Sequence, residues 1–98
     1  MAMLHIIRSS GYSSNALAQC LDMVLPQDSI LLMDDGCYNL SQKLLLDTLE
    51  KKPELSVYFI SLHADARAQF STNNIFIAIT LTEVVALLFK HDNSITWS

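Results

Sequence analysis

Two cysteines, three histidines and one adjacent pair of carboxylates are the side chains of this sequence that could do more than pack. A cysteine carries sulfur or attacks an electrophile only as the thiolate. Thiolates form where a helix N-terminus or a cation lowers the pKa and solvent has access. Cys20 falls in the middle of a predicted helix, on its apolar face, where a free cysteine usually packs as a small hydrophobe. Cys37 follows Gly36 in a predicted strand-end loop, a better place for reactivity, but it has no basic neighbour. Both are candidate sulfur-handling residues, and a non-catalytic role is the better reading for each. Their wide separation, with no Cys-x-x-Cys spacing and no nearby His pair, predicts neither a structural zinc site nor a disulfide framework.

Asp34-Asp35-Gly36 could hold a metal ion or accept a phosphoryl group, as in response-regulator receivers. Receivers carry their acidic pair after the first strand and need a separate acceptor Asp and a Lys, which are missing from the matching strand ends here. An ordinary Asp-Gly turn is therefore the better reading, since a metal would need a third ligand from another loop. The histidines are scattered: His5 in the first strand, His91 at the end of the last helix, and His63 at the end of the third strand, where it could face a cleft. With only Gly11 and Gly36 there is no glycine-rich phosphate loop, so no nucleotide cofactor, and indeed no cofactor, is expected.

These residues are carried by alternating apolar runs and amphipathic stretches. Leu4–Ile7, Ile30–Met33, Val57–Ile60 and Ile75–Ile79 read as buried strands, apolar throughout. Between them, Leu17, Cys20, Leu21 and Val24 share one helical face, with Ser13 or Ser14 as cap and Pro26 as stop. Leu45, Leu46 and Leu49 mark a second helix, capped by Ser41 and ended by Pro53. Residues 64–70 are helix-prone but weakly patterned, and Thr72-Asn73-Asn74 leads into the fourth strand. Thr80 and Glu83 match a capping box ahead of a stripe formed by Leu81, Val84, Val85 and Leu88. Ser94–Trp97 could add an edge strand. The pattern predicts one small doubly wound α/β domain over residues 1–98, with a mainly parallel sheet of four to five strands and helices on both faces. Chemistry in such folds gathers at the carboxyl ends of the strands.

Composition narrows the function classes. Of 98 residues, 51% are hydrophobic and 16% charged, against roughly 25% charged in an average domain. A lone copy would struggle to cover that apolar surface, which predicts a permanent partner interface. No apolar run approaches the ~18 residues needed to span a bilayer, and the N-terminus lacks a signal-peptide pattern. A cytoplasmic protein with no membrane association is expected. A net charge of −4 without a basic cluster argues against direct binding of nucleic acid.

Several landmarks, in order along the chain, carry a family resemblance. They are Met3-Leu4-His5 with Arg8-Ser9, Asn15-Ala16-Leu17 with Cys20-Leu21, Ile30 through Gly36 with Tyr38, Val57-Tyr58, and Lys90-His91 followed by Thr96-Trp97. Together they resemble the TusB/DsrH family of sulfur-relay subunits over essentially the whole chain. The resemblance implies the smallest subunit of a three-protein complex, a dimer of heterotrimers with TusC/TusD-like (DsrF/DsrE-like) sister subunits, that passes persulfide sulfur between carrier proteins. In the TusB branch the sulfur ends in 2-thiouridine at the tRNA wobble position, and in the DsrH branch the complex serves dissimilatory sulfur oxidation. The sister subunit's acceptor cysteine follows its third strand, where this chain reads Ser61-Leu62-His63-Ala64. Cys20 matches a first-helix cysteine of DsrH-type members.

An accessory, non-catalytic subunit of a TusBCD-like complex is thus the leading expectation. A stand-alone sulfurtransferase using Cys20 or Cys37 and a homo-oligomeric ligand-binding module are the alternatives. Phe70, Phe76, Phe89, Tyr38 and Trp97 add bulky apolar area near element ends, and aromatic residues anchor interfaces well. Tyr38 and Trp97 are the expected contacts with sister subunits.

Overall fold

A computed structural model describes residues 2–12, 14–69 and 75–97. Five strands, β1 (Met3–Ile7), β2 (Ser29–Leu32), β3 (Ser56–Ile60), β4 (Phe76–Ile79) and β5 (Asn93–Trp97), form one parallel sheet in the order β4-β3-β2-β1-β5. Helices α1 (Ala16–Met23), α2 (Lys43–Lys51), α3 (Ser61–Ala66) and α4 (Leu81–Lys90) connect them. This is the predicted α/β architecture, with β5 as the fifth strand. Chain direction across the sheet reverses once, when α4 carries the chain from the β4 edge to the β5 edge, so the topological switch lies beside β1. No helix among the described residues is long and apolar enough to cross a membrane.

β2 is buried along its whole length, as expected of a central parallel strand covered on both sides. One core forms between the sheet and α1 and α2, where Ile7, Ile30, Leu32 and Val57 meet Leu17, Cys20, Leu21, Leu45 and Leu49. The predicted apolar faces of these two helices are the ones that are buried. The opposite face holds a smaller core of Leu4, Leu31, Ile60 and Ile79, and α4 supplies its helical contribution through Leu87 and Val84.

Five local expectations change. Asp34-Asp35-Gly36 is no isolated turn but the start of a 3-10 helix, Asp34–Ser41, with Asp34 in the left-handed region at φ 51°. Ser41 closes that 3-10 helix, and α2 begins after Gln42 without a side-chain cap. α1 follows Asn15, and Ser14 supports it by accepting the Ala16 N–H instead of capping it; Ser13 lies outside the described residues. α3 starts directly at the end of β3, three residues before the predicted helix, and Phe70 and Thr72-Asn73-Asn74 are also outside the described residues. The capping box at Thr80 and Glu83 forms as expected, each side chain taking the other residue's backbone N–H. The stripe behind it is turned, however. Val84 and Leu87 face the sheet, whereas Leu81, Val85, Leu88 and Phe89 are exposed.

Candidate functional site at the carboxyl ends of the strands

β1, β2 and β3 deliver Arg8, Asp34 and the start of α3 to one rim of the sheet, next to the topological switch. The Arg8 guanidinium donates to Asp34 Oδ2 at 2.9 Å. His63 Nδ1 accepts the backbone N–H of Asp34 at 3.0 Å, so a neutral ring carries its hydrogen on Nε2. Beside them Arg67 reaches from beyond α3 to Asp35 Oδ1 at 2.8 Å and to the His63 carbonyl at 3.2 Å. The acidic pair found in the sequence is therefore neutralised residue by residue, which suits ion pairing better than metal binding. Among the described residues, no group of His, Cys, Asp and Glu could hold a metal ion. Arg8 is more than half exposed, so its pair contributes at most about 1 kcal/mol to stability and remains available to a partner.

Asn39 holds the rim in shape. Fully buried in the 3-10 helix, it accepts the Gly11 N–H at 2.7 Å through Oδ1 and donates to the Ser9 carbonyl at 3.0 Å through Nδ2. One amide thereby fixes the β1–α1 loop in place of backbone pairing. Nothing in the Tyr-Asn-Leu sequence around it signals this role. Asn39→Ala should cost about 2 kcal/mol, since each lost hydrogen bond contributes ~1 kcal/mol and leaves a backbone partner unsatisfied. Faster hydrogen exchange at the Gly11 amide, with exchange in β2 and β3 changed only by the global loss, would locate the effect in the loop.

The two thiols lie below this surface, and both are free and buried. Cys20 packs on the core face of α1, where burial, reinforced by the Asp28 carboxylate, pushes its pKa up to about 12. Cys37 sits under the rim, its Sγ 3.6 Å from the Leu32 carbonyl. Burial raises its pKa to about 11, despite the opposing pull of Arg67. Both stay protonated thiols at neutral pH in the folded chain. Thiol titration should find them on the order of 100-fold slower to react in the native chain than in denaturant, because attack must await local opening. Native reaction of either at the denatured rate would mean that these thiols are not enclosed as described.

Tyr38, half-buried in the 3-10 helix, directs its carbonyl to the Ser41 hydroxyl. Trp97 is half-buried at the end of β5 and packs against the larger core. Its indole N–H donates to His5 Nδ1 at 3.2 Å, and the two rings stack with centroids 6.3 Å apart. Because an indole can only donate, His5 must use Nε2 as its donor, and Asp28 Oδ2 receives it at 2.9 Å. Asp28 also accepts the N–H groups of Met3 and Leu25. Burial pushes its carboxyl up, but the His5 and backbone hydrogen bonds outweigh burial and hold it below its ordinary value. This Trp97–His5–Asp28 chain ties β5, β1 and the approach to β2 together, and no local pattern in the sequence signals it. It borders an apolar cavity of about 290 Å³ that also meets Met3, Met23 and Leu25. The cavity lies toward the amino ends of β1 and β5, away from the charged rim. The remaining predicted aromatics separate: Phe76 is buried in the larger core, and Phe89 is 87% exposed.

Comparison with known proteins places this geometry among relatives. The family model described as "DsrH like protein" matches residues 9–94. No curated protein matches the chain. Among solved structures, the crystal structure of the ychN protein from E. coli superposes with a TM-score of 0.77 at 18% identity, covering 99% of this chain and 100% of that one. The solution structure of Tm0979 from Thermotoga maritima superposes with a TM-score of 0.65 at 20% identity, covering 92% and 93%. At these identities the two structures show a shared fold.

Proposed function

We propose, because this chain belongs to the DsrH-like family of sulfur-relay subunits, that it is an accessory subunit of a TusBCD-like complex. In this reading sister subunits of the DsrE and DsrF kind carry the persulfide, and the relay ends in 2-thiolation of the tRNA wobble uridine. The observation that carries the accessory role is the burial of both thiols, each with its pKa raised well above neutrality. The end of β3 offers His63 and a hydroxyl at Ser61 in place of a sulfur acceptor. What the rim can contribute is polar and positional. Arg8 and Arg67 are each paired with a carboxylate, Asp34 and Asp35, so the rim beside the end of β3 presents hydrogen-bonding side chains to a partner without a net charge.

The test has two parts. Co-expressed with DsrE- and DsrF-like subunits, the chain should elute with them in size-exclusion chromatography. Incubated alone with a cysteine desulfurase and cysteine, it should gain no adduct of about 32 Da, the mass of one persulfide sulfur, while a DsrE-like subunit treated in parallel does. Persulfide at high occupancy on the isolated chain, lost in Cys20→Ser or Cys37→Ser, would instead establish a stand-alone sulfurtransferase. Loss of wobble 2-thiouridine on deletion of the gene assigns the tRNA branch, and unchanged thiolation assigns the complex to sulfur oxidation.

A further inference from the structure

The Trp97–His5–Asp28 chain leaves a charge without a counterpart. Nδ1 of His5 accepts the indole N–H, so it holds no hydrogen and the imidazole is neutral. The three groups that donate to Asp28, the His5 ring and the Met3 and Leu25 amides, are therefore all uncharged. Among the described residues, His5 is the only side chain within ion-pairing distance of this carboxylate. The Asp28 carboxyl titrates below its ordinary range, so at neutral pH a full negative charge sits on a side chain that is only 4% exposed. Buried charges are ordinarily matched by an opposite charge, and no described side chain supplies one here. The hydrogen bonds also leave room for another donor. An ionised carboxylate has about four acceptor positions, of which two on Oδ2 and one on Oδ1 are taken.

Asp28 is also part of the wall of the cavity of about 290 Å³. Met23 and Leu25 are largely exposed and flank its opening, whereas His5 and Asp28 are buried and form its floor. Met3, Ile95 and Trp97 complete walls that are mainly apolar. An apolar partner surface laid over this cavity would seal the carboxylate from water without neutralising it, which is strongly unfavourable, and an anionic ligand would be repelled. Floor and walls are satisfied together by an ammonium group on an apolar body, to which the Trp97 ring adds a cation–π attraction. The volume, about 290 Å³, lies near the lower end of the ~300–1,000 Å³ of small-molecule sites and suits one aromatic ring with a short alkyl arm. A lysine side chain carries the same head group on a thinner stem and would leave much of that space empty.

We propose that this cavity is a binding site for a small organic ammonium ion, a primary amine on a short arm from an aromatic ring, whose ammonium donates to Asp28 Oδ1 and whose ring packs among Met3, Met23, Leu25 and Trp97. The site lies away from the charged rim at the carboxyl ends of the strands. It requires no part of the sulfur-relay reading, and its failure would leave that reading untouched.

Trp97 is the single tryptophan of the chain and part of the cavity wall, so its fluorescence reports occupancy. Titration of the purified full chain at neutral pH with phenethylamine, protonated there like a lysine ammonium, should saturate with a dissociation constant on the order of 100 μM. Phenethyl alcohol, the same body with a neutral head, should bind about 10-fold or more weakly. Phenylacetate should show no saturation below about 10 mM. Butylamine stands in for a lysine side chain and should bind about 10-fold more weakly than phenethylamine, for want of apolar contact. Leu25→Lys sets a fixed cation at the opening on an exposed position, where the fold is undisturbed, and should weaken phenethylamine about 5-fold or more while leaving the alcohol unchanged. Asp28→Asn, in its folded fraction, should bind amine and alcohol within about 2-fold of each other. Equal binding of amine, alcohol and phenylacetate by wild type overturns the inference, as does no saturation by phenethylamine below about 10 mM. Butylamine binding tighter than phenethylamine overturns it in favour of a partner's lysine. A preference for the amine that survives both Leu25→Lys and Asp28→Asn puts the ammonium elsewhere and overturns it too.

Discussion

Gly36→Ala should cost more than about 3 kcal/mol and leave little native chain at physiological temperature, a loss comparable with much of the ~5–15 kcal/mol that holds a domain of this size together. A Cβ at this position would lie 2.0 Å from the Ile7 carbonyl oxygen and 2.8 Å from its carbon. Both are backbone atoms, so no side-chain rotation relieves the clash. The oxygen is also held in place by the Met33 N–H at 3.1 Å, while the Gly36 N–H is bonded to the Met33 carbonyl. The 3-10 helix that carries Asp34, Cys37 and Asn39 therefore rests directly on the end of β1, and only a residue without a side chain allows that approach. Urea titration by circular dichroism checks the prediction. Gly11→Ala provides the comparison, because its Cβ would meet side-chain atoms of Asn39 and Gln42 at 2.9 and 3.0 Å, of which Gln42 can move. A Gly36→Ala midpoint equivalent to within about 1 kcal/mol of wild type would mean that the 3-10 helix does not sit against β1 as described.

Asp28→Asn should cost about 3 kcal/mol and remove an acid-dependent part of the stability. The carboxylate accepts from His5 and Leu25 through Oδ2 and from Met3 through Oδ1. All three partners present N–H groups, whereas an amide offers one acceptor oxygen and one NH2 that must face a donor. Leaving buried donors unmatched carries a penalty of roughly 1–3 kcal/mol each, and Trp97 loses its anchor when His5 shifts. The pH dependence follows from the depressed pKa of this carboxyl. Its contribution is fully present above the unfolded-state value, about 3.9, and is lost as pH falls through the lower folded-state value. Wild-type stability should thus fall more steeply than that of Asp28→Asn as pH drops below about 4. Parallel acid titrations of the two proteins would show the idea to be mistaken. Trp97 fluorescence gives a local readout, since it stacks on the same histidine.

Both predictions concern residues that look ordinary in one dimension, and that marks the division between sequence and tertiary structure. Continuous apolar runs such as Ile30–Met33, alternating with one-sided helices such as Leu17–Cys20–Leu21–Val24, already required a covered parallel sheet, because burial of strand and helix faces is written in local periodicity. The environment of Cys20 was legible for the same reason, its position on an apolar helical face, whereas Cys37, read in a strand-end loop open to chemistry, is fully buried in the 3-10 helix. The capping box at Thr80 and Glu83 was equally local. What folding alone decided are meetings between residues distant in the chain. Asn39 reaches Ser9 and Gly11, Asp28 reaches Met3 and His5, and Arg67 reaches Asp35, and no periodicity encodes such partners. The orientation of α4 belongs with them. Its sequence is apolar on more than one side, so helical spacing permitted either stripe to face the sheet. The choice of Val84 and Leu87 over Leu81, Val85 and Leu88 was made by packing against Leu4, Leu31, Ile60 and Ile79 of the sheet.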